Sequence, residues 1–245
     1  MIIETTSLLI GLSGTALPAW LWVKERSNKT QMELEYNIKV AQSLGHAATL
    51  RDHETGAHNL RVTYISSLFG EYLGLDRIHL RALMKGAFLH DVGKIGIPDN
   101  ILQKEGPLNE EEWQTMRSHP QLGKTLVSQM PWFEDAVPVI LYHHEKFDGS
   151  GYPHGLKGDL IPLEARIFTI IDVFDALLAV RPYKKGLFLE EVLALMQQET
   201  PSHFDPQLLQ KFIHVAPDFA TIIALKDEEE LQSLLFARRR KIFGI

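Results

Sequence analysis

Histidines and carboxylates recur along this chain at spacings that suit a metal site. Glu54 and His58 stand four apart in RDHETGAH, so a helical turn there puts both on one side. His90 and Asp91 are adjacent and run into Val92-Gly93-Lys94. Helix neighbours point about 100° apart, so this pair can grip one metal, or two close ones, only if the helix end is seated against them. His119-Pro120 and His143-His144-Glu145 follow, and Asp172 and Asp175 lie in the very apolar segment 167–178. Two acids in such a segment are costly to bury unless they are paired or metal-bound. Each residue also has a plainer reading. His119 alone suits a hydrogen-bonded core histidine, Asp172 suits pairing with an arginine such as Arg166, and Glu54 suits a helix start.

Composition narrows the chemistry. The 245 residues include no cysteine, which excludes disulfides, thiolate ligands and cysteine nucleophiles. Any metal must be held by imidazole and carboxylate, a donor set that suits Fe, Mn, Zn or Ni. The net charge of −6 argues against a DNA or RNA binder, which needs a basic face. A small phosphate ligand needs only a few local cations.

The elements that must carry these residues read as helices. Asp76 suits a cap for a helix bearing Ile78, Leu83, Ala87 and Phe88. Asn109 with Glu112 resembles a capping pair ahead of Trp113 and Met116. Pro162 fits the first turn of a helix through Ile167, Ile171, Phe174 and Leu178, and Asp205-Pro206 starts another. A last helix over 227–241 has acids at its start and Arg238, Arg239, Arg240 and Lys241 at its end, an order that suits the helix dipole and reads as a solvated helix end. No alternating strand pattern of useful length stands out. Segments 95–108 and 147–161, rich in Gly, Pro and Asp, read as functional loops. Residues 5–23 carry no charge, end on Trp20 and Trp22, and are followed by Lys24, Arg26 and Lys29. That pattern predicts an inner-membrane anchor over residues 1–27 with everything after it in the cytoplasm, a buried helix being the alternative. Residues 28–51 read as an amphipathic connector that either pairs with a copy of itself, making a homodimer, or packs on the domain that follows.

Taken in order, the chemical blocks resemble the HD-GYP family, a branch of the HD metal-dependent phosphohydrolases. HDVGK at 90–94 resembles the HD signature, and Gly151-Tyr152-Pro153, inside HHEKFDGSGYPHGLKGDLIP, resembles the GYP signature. RDHETGAHNLRV, ARIFTIIDVFDALLAVRPY and SHFDP match further blocks, and the resemblance runs from about residue 41 to 215. It implies an all-α helical bundle with a metal site in its core over residues 41–225, followed by a C-terminal helix at 226–245. It also implies hydrolysis of cyclic di-GMP to pGpG and, in some members, on to GMP. By position it implies metal ligands at His58, His90, Asp91, His119, His143, His144 and Asp172. Glu54 stands where some members add a carboxylate that supports a third ion, so two or three divalent ions, Fe or Mn, are expected. Asp91 and Lys94 are the expected catalytic pair, with Lys94 at the leaving 3′ oxygen. Tyr152, Asp175, Arg181 and Lys184 are the expected substrate contacts. One small departure is Phe147, where a tryptophan is frequent. Two other functions fit the same motifs: a receptor that binds the dinucleotide without cleaving it, and a phosphohydrolase acting on another nucleotide.

Overall fold

Local capping chemistry starts four of the helices at the positions their sequence suggests. In the computed structural model, residues 19–51, 55–179 and 186–244 are described. The expected anchor over 5–23 falls almost wholly outside them, as do Glu54, Arg181 and Lys184. No strand occurs among the described residues. The helices are α1 (Ala19–Arg51), α2 (Thr55–Tyr72), α3 (Arg77–Leu89), α4 (Asp99–Leu102), α5 (Glu110–Met116), α6 (His119–Val127), α7 (Val137–Tyr142), α8 (Leu163–Leu178), α9 (Leu189–Gln198), α10 (Pro206–Leu225) and α11 (Glu228–Arg239). The Asp76 carboxylate accepts from the N–H groups of Ile78 and His79 at the start of α3, both at 2.9 Å. Asn109 and Glu112 exchange bonds of 2.9 and 2.8 Å as a capping box on α5. Asp205 caps α10 and Asp227 caps α11. Each cap satisfies N–H groups that the first helical turn leaves without partners.

The chain divides into a unit ending at Ile38 and a second from Lys39 to Ile245, and all the chemistry lies in the second. Its largest core joins α2, α3, α8, α9 and α10 through Val62, Phe69, Leu83, Phe168, Phe174 and Phe212. A smaller core joins the end of α1 to α3, α6 and α7 through Ala41, Leu89, Val127, Phe133 and Ile140. The His90-Asp91 pair sits at the end of α3, which contributes to both. Helix α10 is long and apolar enough to cross a membrane by length and composition, yet it buries Leu208, Leu209, Phe212, Ala216 and Phe219 in the larger core.

One surface expectation is corrected. Arg238 is not part of a solvated helix end. It reaches back to α2, donating to the Ser67 carbonyl at 2.7 Å and pairing with Glu71 at 2.6 Å. The apolar face of α11 brings it there, since Leu231 and Leu235 are buried.

The turn after the His-Asp pair is held by backbone proximity. Residues Val92–Gly96 form a 3-10 turn that packs on the first turns of α6. A Cβ on Gly93 would lie 1.9 Å from the His119 carbonyl oxygen and 2.4 Å from the Gly123 nitrogen. Backbone cannot yield as a flexible side chain does, so only glycine lets this turn approach α6. Gly93→Ala is expected to destabilise the protein by about 2–3 kcal/mol and to lower its metal content. Gly56→Ala, whose new Cβ meets nothing within 4 Å, is expected to leave stability unchanged or raised. Denaturant titration of both variants checks this.

Candidate metal centre

The end of α3 divides the site in two. His90 keeps helical angles, whereas Asp91 breaks off at φ −97°, ψ 7°. The break carries Asp91 off the helix and sets its carboxylate between His90 and His119. Asp91, His119, His143 and His144 bring one ligand atom each within 4.8 Å of one another, and His58, His90 and Asp172 do the same. Asp91 joins the groups: its Oδ1 lies 3.3 Å from His119 Nε2, and its Oδ2 lies 3.2 Å from His90 Nε2. The described ligands named from the motifs therefore converge, although up to 114 residues separate them in sequence (58 to 172).

Backbone carbonyls orient the rings. His90 Nδ1–H donates to Ala87 O at 2.9 Å, His119 Nδ1–H to Met116 O at 2.8 Å, and His143 Nδ1–H to Ile140 O at 3.0 Å. Each bond spends the Nδ1 proton on the preceding helical turn and leaves Nε2 as a lone pair aimed inward. The Thr169 hydroxyl donates to the His143 carbonyl at 2.9 Å and ties α8 to the end of α7.

These tautomers bring acceptors face to face. His119 Nε2 lies 3.3 Å from His143 Nε2 and 3.3 Å from Asp91 Oδ1. A proton does not resolve the crowding, because the imidazoles are hard to protonate. Burial holds the His143 pKa well below its usual value. Burial lowers His119 as well and takes His144 down to about 3. Burial would raise Asp91, but the charge of the Lys94 ammonium beside it outweighs that and keeps the carboxylate ionised. Neutral imidazoles and an ionised carboxylate converging without a shared proton are a donor set fit for a divalent cation.

The second group has a different balance. His58 Nδ1–H donates to Asp175 Oδ2 at 2.7 Å, and His58 Nε2 lies 3.2 Å from Asp172 Oδ1. Burial acts to lower the His58 pKa, but its bonds to the two aspartates and their charges push it up to about 9. Arg61, one turn further along α2, holds Asp175 with bonds of 2.6 and 2.9 Å. This corrects the substrate-contact role expected for Asp175. Its side chain is fully buried and both its oxygens are committed to His58 and Arg61, so it orients a ligand instead. Arg61 itself was missed, and its one sequence signal is a position three residues after His58, on the same helix face. The reading of Asp172 as a partner of Arg166 also fails, since Arg166 pairs with Asp159 and Asp205, both at 2.7 Å.

The loop after α7 closes over the same residues. Glu145 is buried, and its two oxygens accept from His154 N–H at 2.7 Å and Leu156 N–H at 3.0 Å. A Cβ on Gly151 would come within 2.3–2.5 Å of the backbone of residues 144–146. That contact lets Tyr152 donate its N–H to the His144 carbonyl at 3.1 Å and stack its ring on His144 at 4.7 Å. Burial and the Asp91 charge raise the Tyr152 pKa, so its hydroxyl stays a donor. Lys94 Nζ lies 2.8 Å from Asp91 Oδ2 at the edge of the cluster.

Residues 42–208 match the HD domain family. The chain is 42% identical over 172 residues to a cyclic di-GMP phosphodiesterase response regulator of Xanthomonas campestris, covering 69% of this chain and 46% of that protein. It is 37% identical over 211 residues to a cyclic di-GMP phosphodiesterase of Vibrio cholerae, covering 80% of this chain and 43% of the relative. The chain thus spans about half the length of the curated relatives it matches. Among solved structures, a cyclic GMP-AMP specific phosphodiesterase of V. cholerae superposes with a TM-score of 0.63 at 19% identity, over 83% of this chain and 54% of that one, a likeness of fold.

Two outcomes follow from the Asp175 arrangement. Asp175→Asn is expected to weaken metal binding roughly 10–100-fold, with a smaller loss for Arg61→Gln, measured by competition with a chelator. At pH 7.5, below the His58 pKa of about 9, the metal-free protein holds the proton that His58 Nε2 must lose to bind a cation. Metal loading is therefore expected to release about one proton at this group, less as pH rises through 9. Calorimetry in buffers of different ionisation enthalpy reads the count, and a buffer-independent heat at pH 7.5 contradicts it.

Proposed function

The chain belongs to the HD domain family, in its HD-GYP branch, and on that premise we propose that it is a metal-dependent phosphodiesterase that hydrolyses cyclic di-GMP to pGpG. The observation that carries this reading is the convergence of unprotonated His Nε2 atoms on the ionised Asp91. We assign one divalent ion to each ligand group, Fe or Mn, with Glu54 as the carboxylate for a third. When bound, such ions neutralise phosphate charge and make a water nucleophilic at neutral pH.

The chain's own residues do the rest. Lys94, tethered to Asp91, holds an ammonium at the edge of the ligand cluster, where it offers a proton to the leaving 3′ oxygen. Asp91 links both ligand groups and keeps that ammonium in position. The Tyr152 ring covers His144 and screens that side of the cluster from water. Its protonated hydroxyl is a hydrogen-bond donor for the substrate. Arg181 and Lys184 are assigned to the substrate phosphates by their motif. Residues 5–23 are assigned as a tether to the inner membrane, with the domain in the cytoplasm; of the 28–51 helix, the end from Val40 packs into the smaller core, and the part before it is assigned to pairing with its copy. The exposure of Met32 and Tyr36 supports the pairing.

The test is anaerobic purification with metal quantification, then turnover of cyclic di-GMP. Asp91→Ala is expected to lose both metal and turnover. Lys94→Ala is expected to keep its metal and lose about 10²–10⁴ in kcat. Normal turnover by Asp91→Ala would discard the site.

A further inference from the structure

Beyond Tyr152, a stack of rings and a cation continues outward from the metal ligands. Trp113 and Arg117 stand four apart at the end of α5, so they share a helix face. The Arg117 guanidinium lies 5.6 Å from the centroid of the Trp113 ring and 5.6 Å from that of Tyr152. Tyr152 in turn lies on His144 with an interplanar angle of 26°. The order from solvent inward is Trp113, Arg117, Tyr152, His144.

Arg117 differs from the arginines that hold the fold together. Arg61, Arg166 and Arg238 are each partly buried against a carboxylate. Arg117 is exposed, and among the described residues no side chain pairs with it or accepts a hydrogen bond from it. Two rings hold its guanidinium in place while its fork of N–H groups has no partner among the described residues. Trp113 keeps 43% of its surface exposed beside it. A cation that only closed the end of α5 would need neither an open fork nor an open indole.

We propose that Trp113, Arg117 and Tyr152 form a nucleobase subsite, in which Arg117 donates two hydrogen bonds to O6 and N7 of one guanine of the substrate. The idea rests on the cyclic dinucleotide reading above and deepens it. Arginine is matched to that edge by geometry, whereas adenine offers an N6 donor where guanine has O6. The open indole beside the fork gives one face of the base a stacking surface, as aromatic side chains do for unpaired bases. A second phosphate would call for charge alone and leave the exposed indole without a role. The short path from Arg117 to His119, two residues on, fixes the subsite to a metal ligand.

The test compares metal-loaded full-length protein with Arg117→Ala, Arg117→Lys and Trp113→Ala. Three substrates are used: cyclic di-GMP, its 7-deazaguanine analogue, and bis(p-nitrophenyl) phosphate, which has no base. Arg117→Ala and Arg117→Lys are expected to lose roughly ten- to hundredfold in kcat/KM on cyclic di-GMP, mostly in KM. Turnover of the nitrophenyl ester and metal content should stay unchanged. Trp113→Ala should show the same pattern more weakly. The 7-deaza analogue should be poorer for the wild type and no worse than cyclic di-GMP for Arg117→Ala, because N7 is then no longer read. Equal losses on cyclic di-GMP and the nitrophenyl ester, or none on either, overturn the subsite and leave the phosphodiesterase reading intact. A wild type that cleaves only the nitrophenyl ester overturns both.

Discussion

The domain is organised around acceptor atoms that face one another without protons between them. His119 and His143 each spend the Nδ1 proton on a carbonyl of their own helical turn, and their Nε2 lone pairs meet 3.3 Å apart beside an ionised Asp91. Burying such a set is unfavourable in isolation, since neither the lone pairs nor the carboxylate find water. The fold tolerates it because the helices that present the ligands are anchored elsewhere, in two apolar cores on either side. The energy of those cores holds the groups together, and a bound cation would relieve them. A cation bound there would stabilise the folded domain, because the unfolded chain offers no such converged set.

The two ligand groups are not equivalent. In the first, burial keeps three imidazoles neutral and ready for a cation. In the second, His58 is clamped between Asp172 and Asp175 and keeps a proton to about pH 9. The difference comes from the acids of α8, one helical turn apart, with Arg61 balancing the deeper of them. A cation entering the second group must displace that proton, whereas one entering the first displaces none. A cation would for this reason enter the first group more readily at neutral pH.

What was legible in the sequence is what is local. The caps at Asp76, Asn109, Asp205 and Asp227 depend on residues within three positions, so their pattern predicts them. The histidines and aspartates expected as ligands follow ordered motifs, and the structure brings together all of those it describes. Arg61 was not legible, because its importance comes from Asp175, 114 residues away, and a polar residue on a half-buried helix has many plainer explanations. The same holds for Arg238, whose charge suggests solvent until α11 carries it to Ser67 and Glu71. The break between His90 and Asp91 was visible as a geometric need and not as a location. It depends on Gly93 meeting the backbone of α6, a contact that no short-range pattern encodes.

The GYP loop shows how chemistry and recognition are made one mechanical unit. Glu145 follows the two histidines directly, and its buried carboxylate gathers the N–H groups of His154 and Leu156. The loop is thereby folded back on the dipeptide that supplies two ligands, and Gly151 is the residue small enough to touch it. Tyr152 is then held twice, by its N–H on the His144 carbonyl and by its ring on the His144 imidazole. A displacement of the loop must move a ligand, and a rotation of His144 must move the ring on which Arg117 rests. The glycine and the tyrosine of this motif therefore answer to one constraint: the outer surface of the loop is built directly on the His143-His144 dipeptide, so neither can move without the other.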